Sequence, residues 1–227
     1  MYFSRMTFNP QVNLQQLSQT LCSDSYREHQ ALWQLFDTDP EAKRDFLYRQ
    51  AIEQGQIKYY VLSERQPVDD TGLWNITPPK KYMPDLVEGQ KLFFMLRANP
   101  VKTIVNKAGK KQRHDVVMHK KQCTGYQQLP KNKRPPLQQI VQESCTQWLA
   151  SCAETKGFIF DQDAVVVDGY QQHQSQAKRQ SHSIRYSSVD FQGVLTVTDV
   201  EKFKLALLNG IGKSKAFGCG LMLVRRA

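Results

Sequence analysis

The sequence predicts an α+β protein built from two successive units, each mixing a few strands with one or two helices. Three observations carry this. Short stretches of alternating apolar and polar residues recur along the 227 residues. Helical spacings of apolar residues fall between them. The pattern then breaks at Pro84–Gly89 and starts again with a new apolar stretch.

Residues 2–8 alternate and are rich in aromatics, so they read as a strand that Asn9-Pro10 ends. Leu14, Leu17, Ser18 and Leu21 have the spacing of a short helix. Ser25 can cap a second helix, with Glu28 completing a capping box three residues later. That helix runs through Ala31, Leu32, Leu35 and Phe36 and stops near Asp37-Thr38-Asp39-Pro40. Phe46-Leu47-Tyr48 and Tyr59–Ser63 read as strands, and Trp74–Thr77 as a further extended stretch.

After the break, Lys91–Ala98 is a strand closed by Asn99-Pro100. A basic hairpin turning at Ala108-Gly109 follows, and Val116, Val117 and Met118 also read as strand. Pro135 and Pro136 precede a helix from Leu137 to about Glu154, with Ile140, Val141, Cys145, Trp148, Leu149 and Cys152 inward. Strands are expected near 158–160, 163–170 and 183–198, a helix from Val200 to Leu208, and a last strand at Leu221–Val224. Two tandem ferredoxin-like (RRM-type) domains, 1–84 and 90–227, satisfy this order; one continuous α/β domain is the alternative.

Composition narrows the class. Hydrophobic residues make up 40%, enough for a real core. No stretch approaches the ~18 apolar residues a membrane span needs, and the alternating start is not a signal peptide, so a cytoplasmic protein is expected. The five cysteines include no C-x-x-C pair, and the five histidines form no ligand motif, so neither a disulfide framework nor a metal or other cofactor is called for.

Charge is more informative. Between Arg97 and Arg134 stand eleven basic residues and one acid, Asp115, so the whole net charge of +10 lies there. One concentrated basic region in an otherwise neutral chain is the footprint of a polyanion partner, although a solvated lysine-rich loop is the plainer alternative. With no basic amphipathic helix to lie on a bilayer, nucleic acid is favoured over membrane.

The stretch from Gly210 to Gly220 holds four glycines and two lysines between a helix and a strand. Such a backbone can approach a phosphate closely. It lacks the upstream glycine of a Walker A loop and runs in the reverse order to a dinucleotide fingerprint. For any single glycine a helix cap or tight turn is the better reading; the set with Lys213 and Lys215 favours RNA-backbone binding.

The terminal pattern G-I-G-x-x-K-x-x-G-C-G-L resembles the glycine-rich signature of CRISPR repeat-processing endoribonucleases. Met1–Ser4, His29–Phe36, Arg44–Tyr48 and Leu96–Thr103 are similar, in the same order, to the type I-E branch of that family, CasE. The resemblance implies tandem ferredoxin-like domains. It implies recognition of a CRISPR repeat RNA stem-loop, a cut at its 3′ base, and retention of the product within the type I-E Cascade complex with its other subunits.

Helical spacing puts Tyr26, His29 and Trp33 on one stripe bordering the Leu32/Leu35/Phe36 face. On spacing alone, such a histidine is more often a boundary residue with an ordinary hydrogen bond. Matched to the family's catalytic pair, Tyr26 and His29 become the candidates for cleavage by the RNA's own 2′-hydroxyl. Imidazole titrates near neutrality and suits acid or base duty; which of the two stays open. Candidate RNA contacts are Arg27 beside the stripe, for which a solvent-facing helical arginine is the equal alternative, and, in the basic region, Arg97, Lys102, Lys107, Lys110, Lys111 and Arg113. The small-residue stretch 176–185 matches no family motif; its Lys178, Arg179 and Arg185 suit a hairpin or loop entering an RNA groove, with an exposed flexible loop as the equal alternative. In the terminal loop the candidates are Gly210, Gly212, Lys213, Lys215, Gly218 and Gly220. A non-catalytic RNA-hairpin-binding subunit, and a DNA-binding or assembly subunit of the same complex, are the competing readings.

Overall fold

The computed structural model of the chain describes residues 1–13, 25–36, 44–106, 108–176 and 183–227, and only the backbone of residues 25, 26, 175, 176 and 183. The helix expected at 14–21 lies outside the described residues.

The first sheet is formed by β1 (Tyr2–Phe8), β2 (Phe46–Glu53), β3 (Gln56–Ser63), β4 (Trp74–Ile76) and β5 (Lys80–Lys81), with helix α1 (Ser25–Trp33) between β1 and β2. Its order is β2-β3-β1-β4, antiparallel throughout, with β5 also along β1. The β2–β3 turn uses Gln54 and Gly55, both at positive φ, which matches the twist of the strands it joins. Alternation along β2 then decides what meets what. Phe46 and Tyr48 pack with Leu32, Leu35 and Phe36 below α1. Leu47 points the other way and joins Leu62 and Leu221 in a small apolar seam with the second sheet.

The second sheet contains β6 (Lys91–Ala98), β10 (Val166–Gln176), β11 (Ser183–Val197) and β12 (Met222–Arg226) in the order β10-β11-β6-β12, with β9 (Phe158–Phe160) along β11. Helices α3 (Leu137–Lys156) and α4 (Val200–Asn209) bury Val141, Cys145, Leu149, Phe203 and Leu207 against Phe94, Leu96 and Phe191. Gly157 ends α3 at φ 72°, where a Cβ would lie 2.3 Å from the Asp199 carbonyl oxygen, so only glycine fits. Both sheets share the strand order second-third-first-fourth, the ferredoxin-like arrangement. In the first, residues 64–73 join β3 to β4 without a helix.

Two local expectations are corrected. Val116, Val117 and Met118 are not strand: after the hairpin of β7 (Val101–Val105) and β8 (Lys111–Asp115) they open helix α2 (Val116–Cys123). Asp115 accepts a hydrogen bond from the Met118 amide at 2.8 Å, and Val116 and Val117 are buried, so the cap and the burial override β-branched preference. Glu28, expected to close a capping box, is turned into the core, where its two carboxylate oxygens accept the hydroxyls of Tyr59 at 2.8 Å and Tyr48 at 3.3 Å.

Candidate active site

The candidate catalytic residue sits at the seam between the two sheets. His29 occupies the half-buried border of α1 that its spacing predicts, beside buried Leu32. Its ring lies over Phe46 at 6.1 Å between centroids and edge-on to Trp33 at 5.7 Å and Phe217 at 6.3 Å. Burial in this aromatic surround, then the positive charge of Arg44, pull its pKa down to about 4, so the imidazole is neutral at pH 7. Its Nδ1 is buried with no hydrogen-bond partner among the described residues. Tyr26 belongs to the same helix, but its side chain lies outside the described residues.

The glycine-rich loop supplies the opposite wall. After α4, the Gly210 amide donates to Ala206, the Ile211 amide to Gly220, and the Gly220 amide to Arg97 of β6, lacing the loop to the second sheet. Gly210, Gly212, Gly218 and Gly220 all have positive φ. Close approach explains two of them further: a Cβ on Gly210 would stand 2.9 Å from Leu47, and one on Gly218 3.1 Å from the Tyr48 ring. The loop is thereby seated against β2, where the one Tyr48 hydroxyl proton is shared between Glu28 and the Ala216 carbonyl, 3.2 Å away, and Phe217 is presented to His29. Lys215 is half-buried with its ammonium donating to the Asn209 carbonyl, and burial followed by the charge of Arg44 lowers its pKa.

Three predicted basic residues converge. Arg113 from β8, Arg185 from β11 and Lys213 from the glycine loop line one polar cleft of about 770 Å³ with Asn99, His173 and Tyr186. A column of rings runs from this cleft to the candidate site: His173 stacks on Tyr186 at 4.5 Å, Tyr186 on Phe217 at 4.9 Å, and Phe217 faces His29. Other candidates are placed apart. In the hairpin register Lys102 opposes His114 while Arg113 opposes Thr103, so Lys102 lies on the far face of the β7–β8 ribbon. Lys110 and Lys111 are exposed near its turn. The guanidinium of Arg97 is held by Asp190, at 2.8 Å for the shorter contact, and Asp190 also receives Arg49 of the first sheet at 3.0 Å. Arg27 is half-buried beside His29 in the helix. Lys107, Lys178 and Arg179 lie outside the described residues.

Sequence reasoning missed Arg44, Tyr186 and Phe217 as parts of this site. An aromatic residue set among four glycines was the available signal for Phe217. Arg44 and Tyr186 join only through tertiary packing. Among the described residues no group of three or more potential metal ligands gathers.

The model of a family described as CRISPR associated protein matches residues 1–226. The chain is 30% identical over 201 residues to the CRISPR system Cascade subunit CasE of Escherichia coli, covering 88% of this chain and 90% of that one. It is 26% identical over 160 residues to the CRISPR-associated endoribonuclease Cse3 of Thermus thermophilus, covering 68% of this chain and 65% of that one. A structure of CRISPR endoribonuclease Cse3 bound to 19 nt RNA shares the fold with a TM-score of 0.72 at 23% identity, over 99% of this chain and 100% of that one. With a family match spanning nearly its full length and a curated relative at this level of identity, the chain belongs to the CasE family of CRISPR-associated proteins.

Proposed function

We propose that the chain is a metal-independent endoribonuclease that binds a CRISPR repeat stem-loop, cuts the precursor RNA at the 3′ base of the stem, and stays on the mature guide RNA within a Cascade-type complex. The names of its relatives supply the substrate class and the assembly. The observation that carries the chemistry is the half-buried, neutral imidazole of His29, its Nδ1 buried and unpartnered among the described residues, set at the seam against a lysine-bearing glycine loop. His29 takes the proton of the ribose 2′-hydroxyl. The 2′-oxygen attacks the adjacent phosphorus, Tyr26 shares the proton transfer to the departing 5′-oxygen, and the products are a 2′,3′-cyclic phosphate and a 5′-hydroxyl. The cleft of Arg113, Arg185 and Lys213 receives phosphates of the RNA. A cytoplasmic site of action fits this role. Domain limits of 1–84 and 90–227 fit the pairing, because the first sheet ends at Lys81 and the second begins at Lys91.

The test is single-turnover cleavage of the chain's own genomic repeat RNA, with termini mapped. Wild type should give the cyclic phosphate with EDTA present. His29→Ala should lose ~10²–10⁴ in rate with affinity nearly intact. A 2′-deoxy substitution upstream of the cut should abolish scission; cutting of that substrate would sink the proposal.

A further inference from the structure

We propose that Arg44 is a further catalytic residue, its guanidinium binding a non-bridging oxygen of the phosphate placed against His29 and balancing the charge that oxygen gains during attack. The inference rests on the reading above and extends it to a residue that helix spacing does not reach.

Arg44 stands two residues before Phe46, whose ring lies against His29. It is near enough to both His29 and Lys215 for its charge to act on each. Its Nε and His29 Nδ1 are both buried and have no hydrogen-bond partner among the described residues. Buried polar atoms are almost always satisfied, so two orphans in one place call for a partner. A half-buried guanidinium with its Nε shut off from solvent costs stability unless an anion answers it.

Among the described residues no carboxylate answers it. Asp45, next in the chain, is held by Arg65 through two hydrogen bonds of 2.6 and 3.2 Å. Glu28, next to His29, is occupied by the phenols of Tyr48 and Tyr59. Among the described residues Arg44 forms no ion pair. A phosphate against His29 supplies what is missing: an acceptor for Arg44 and a charge between Arg44 and Lys215.

The step balances without change at Arg44. The 2′-hydroxyl gives its proton to His29, the 2′-oxygen bonds to phosphorus, and the bond from phosphorus to the 5′-oxygen breaks as that oxygen takes a proton from the Tyr26 phenol, which the proton held by His29 then restores. The guanidinium stays protonated throughout and acts by charge and hydrogen bonding, strongest where the phosphorane oxygens are most negative.

The experiment compares full-length wild type, Arg44→Ala, Arg44→Lys and His29→Ala in single-turnover cleavage of the repeat RNA. Affinity for an uncleavable 2′-deoxy RNA and thermal melting are measured alongside. Arg44→Ala should cut ~10²–10³ more slowly with affinity within about threefold of wild type. Its melting temperature should not fall, because no ion pair among the described residues is lost with it. Arg44→Lys should recover part of the rate, and added guanidinium should rescue Arg44→Ala but not His29→Ala. Arg44→Ala cutting within about threefold of wild type while His29→Ala is dead would overturn the role of Arg44 and leave the nuclease reading standing. A fall in rate and melting temperature together, with no rescue, would make Arg44 structural and also overturn it. No cleavage by wild type would instead strike at the nuclease reading itself, and full activity in His29→Ala at the role given to His29.

Discussion

Phe217 of the glycine-rich loop meets His29 of α1 edge to face, 6.3 Å between ring centroids, and this contact ties the terminal loop to the candidate imidazole. The loop belongs to the second sheet by its backbone hydrogen bonds, and His29 to the first by its helix. The candidate site is therefore assembled only when the two halves pack.

Replacing Phe217 by Ala removes one wall of the aromatic surround and lets water reach the imidazole. The His29 pKa should rise from about 4 toward its ordinary 6.5, read by histidine ring-proton titration. Single-turnover cleavage should fall by about tenfold as the ring loses its fixed orientation. An unmoved titration would show that Phe217 does not shield His29.

The same depressed pKa fixes the sign of a stability change. The folded imidazole binds a proton only near pH 4, the unfolded one near 6.5, so between these values the unfolded chain holds more protons. Stability contributed by the neutral ring is present above pH 6.5 and is lost as pH falls through that window. At pH 5 the loss is about 2 kcal/mol. Denaturant unfolding of wild type and His29→Gln at pH 7.5 and pH 5 isolates it: the variant should lose less on acidification, and equal losses would contradict the depressed pKa.

Asp190 is the electrostatic clasp of the seam, binding Arg49 of β2 at 3.0 Å and Arg97 of β6 at 2.8 Å. Asp190→Ala strands two guanidiniums, that of Arg49 being only 6% exposed. Removing one partner of such a pair is strongly destabilising; with Asp190 itself 29% exposed, about 2–3 kcal/mol is expected, or roughly 5–10 °C in Tm. Calorimetry reads this directly, and an unchanged melting temperature would deny the clasp its role.

Most of this architecture is written locally. Strand β1, the β2–β3 pair, α3 and α4 declare themselves by alternation, by helical spacing and by Gly210 as a terminator, and His29 falls where its spacing sets it. The start of α2 is misread because Val116 and Val117 carry strand preference, while the deciding contacts are an Asp115 cap and burial. The rest of the site is not local at all. Arg44, Phe217 and Tyr186 come from three separate stretches, and what joins them is the packing of one sheet against the other. Arg97 shows the converse: in sequence it belongs to the basic region, yet in the fold Asp190 claims its charge.

That distinction separates the basic residues experimentally. Arg113, Arg185 and Lys213 face one cleft, whereas Lys102 lies on the other side of the hairpin from Arg113. If RNA phosphates bind in the cleft, each cation there releases about one counterion on binding. Arg113→Gln, Arg185→Gln and Lys213→Gln should each weaken binding of the repeat RNA and shallow the slope of log affinity against log salt by about 0.7–0.9. Lys102→Gln should change that slope far less. Filter binding of uncleavable RNA from 50 to 300 mM salt, on the order used for such slopes, measures both quantities in one series. Equal slopes for all four variants would mean that the RNA path follows the whole ribbon and not the cleft.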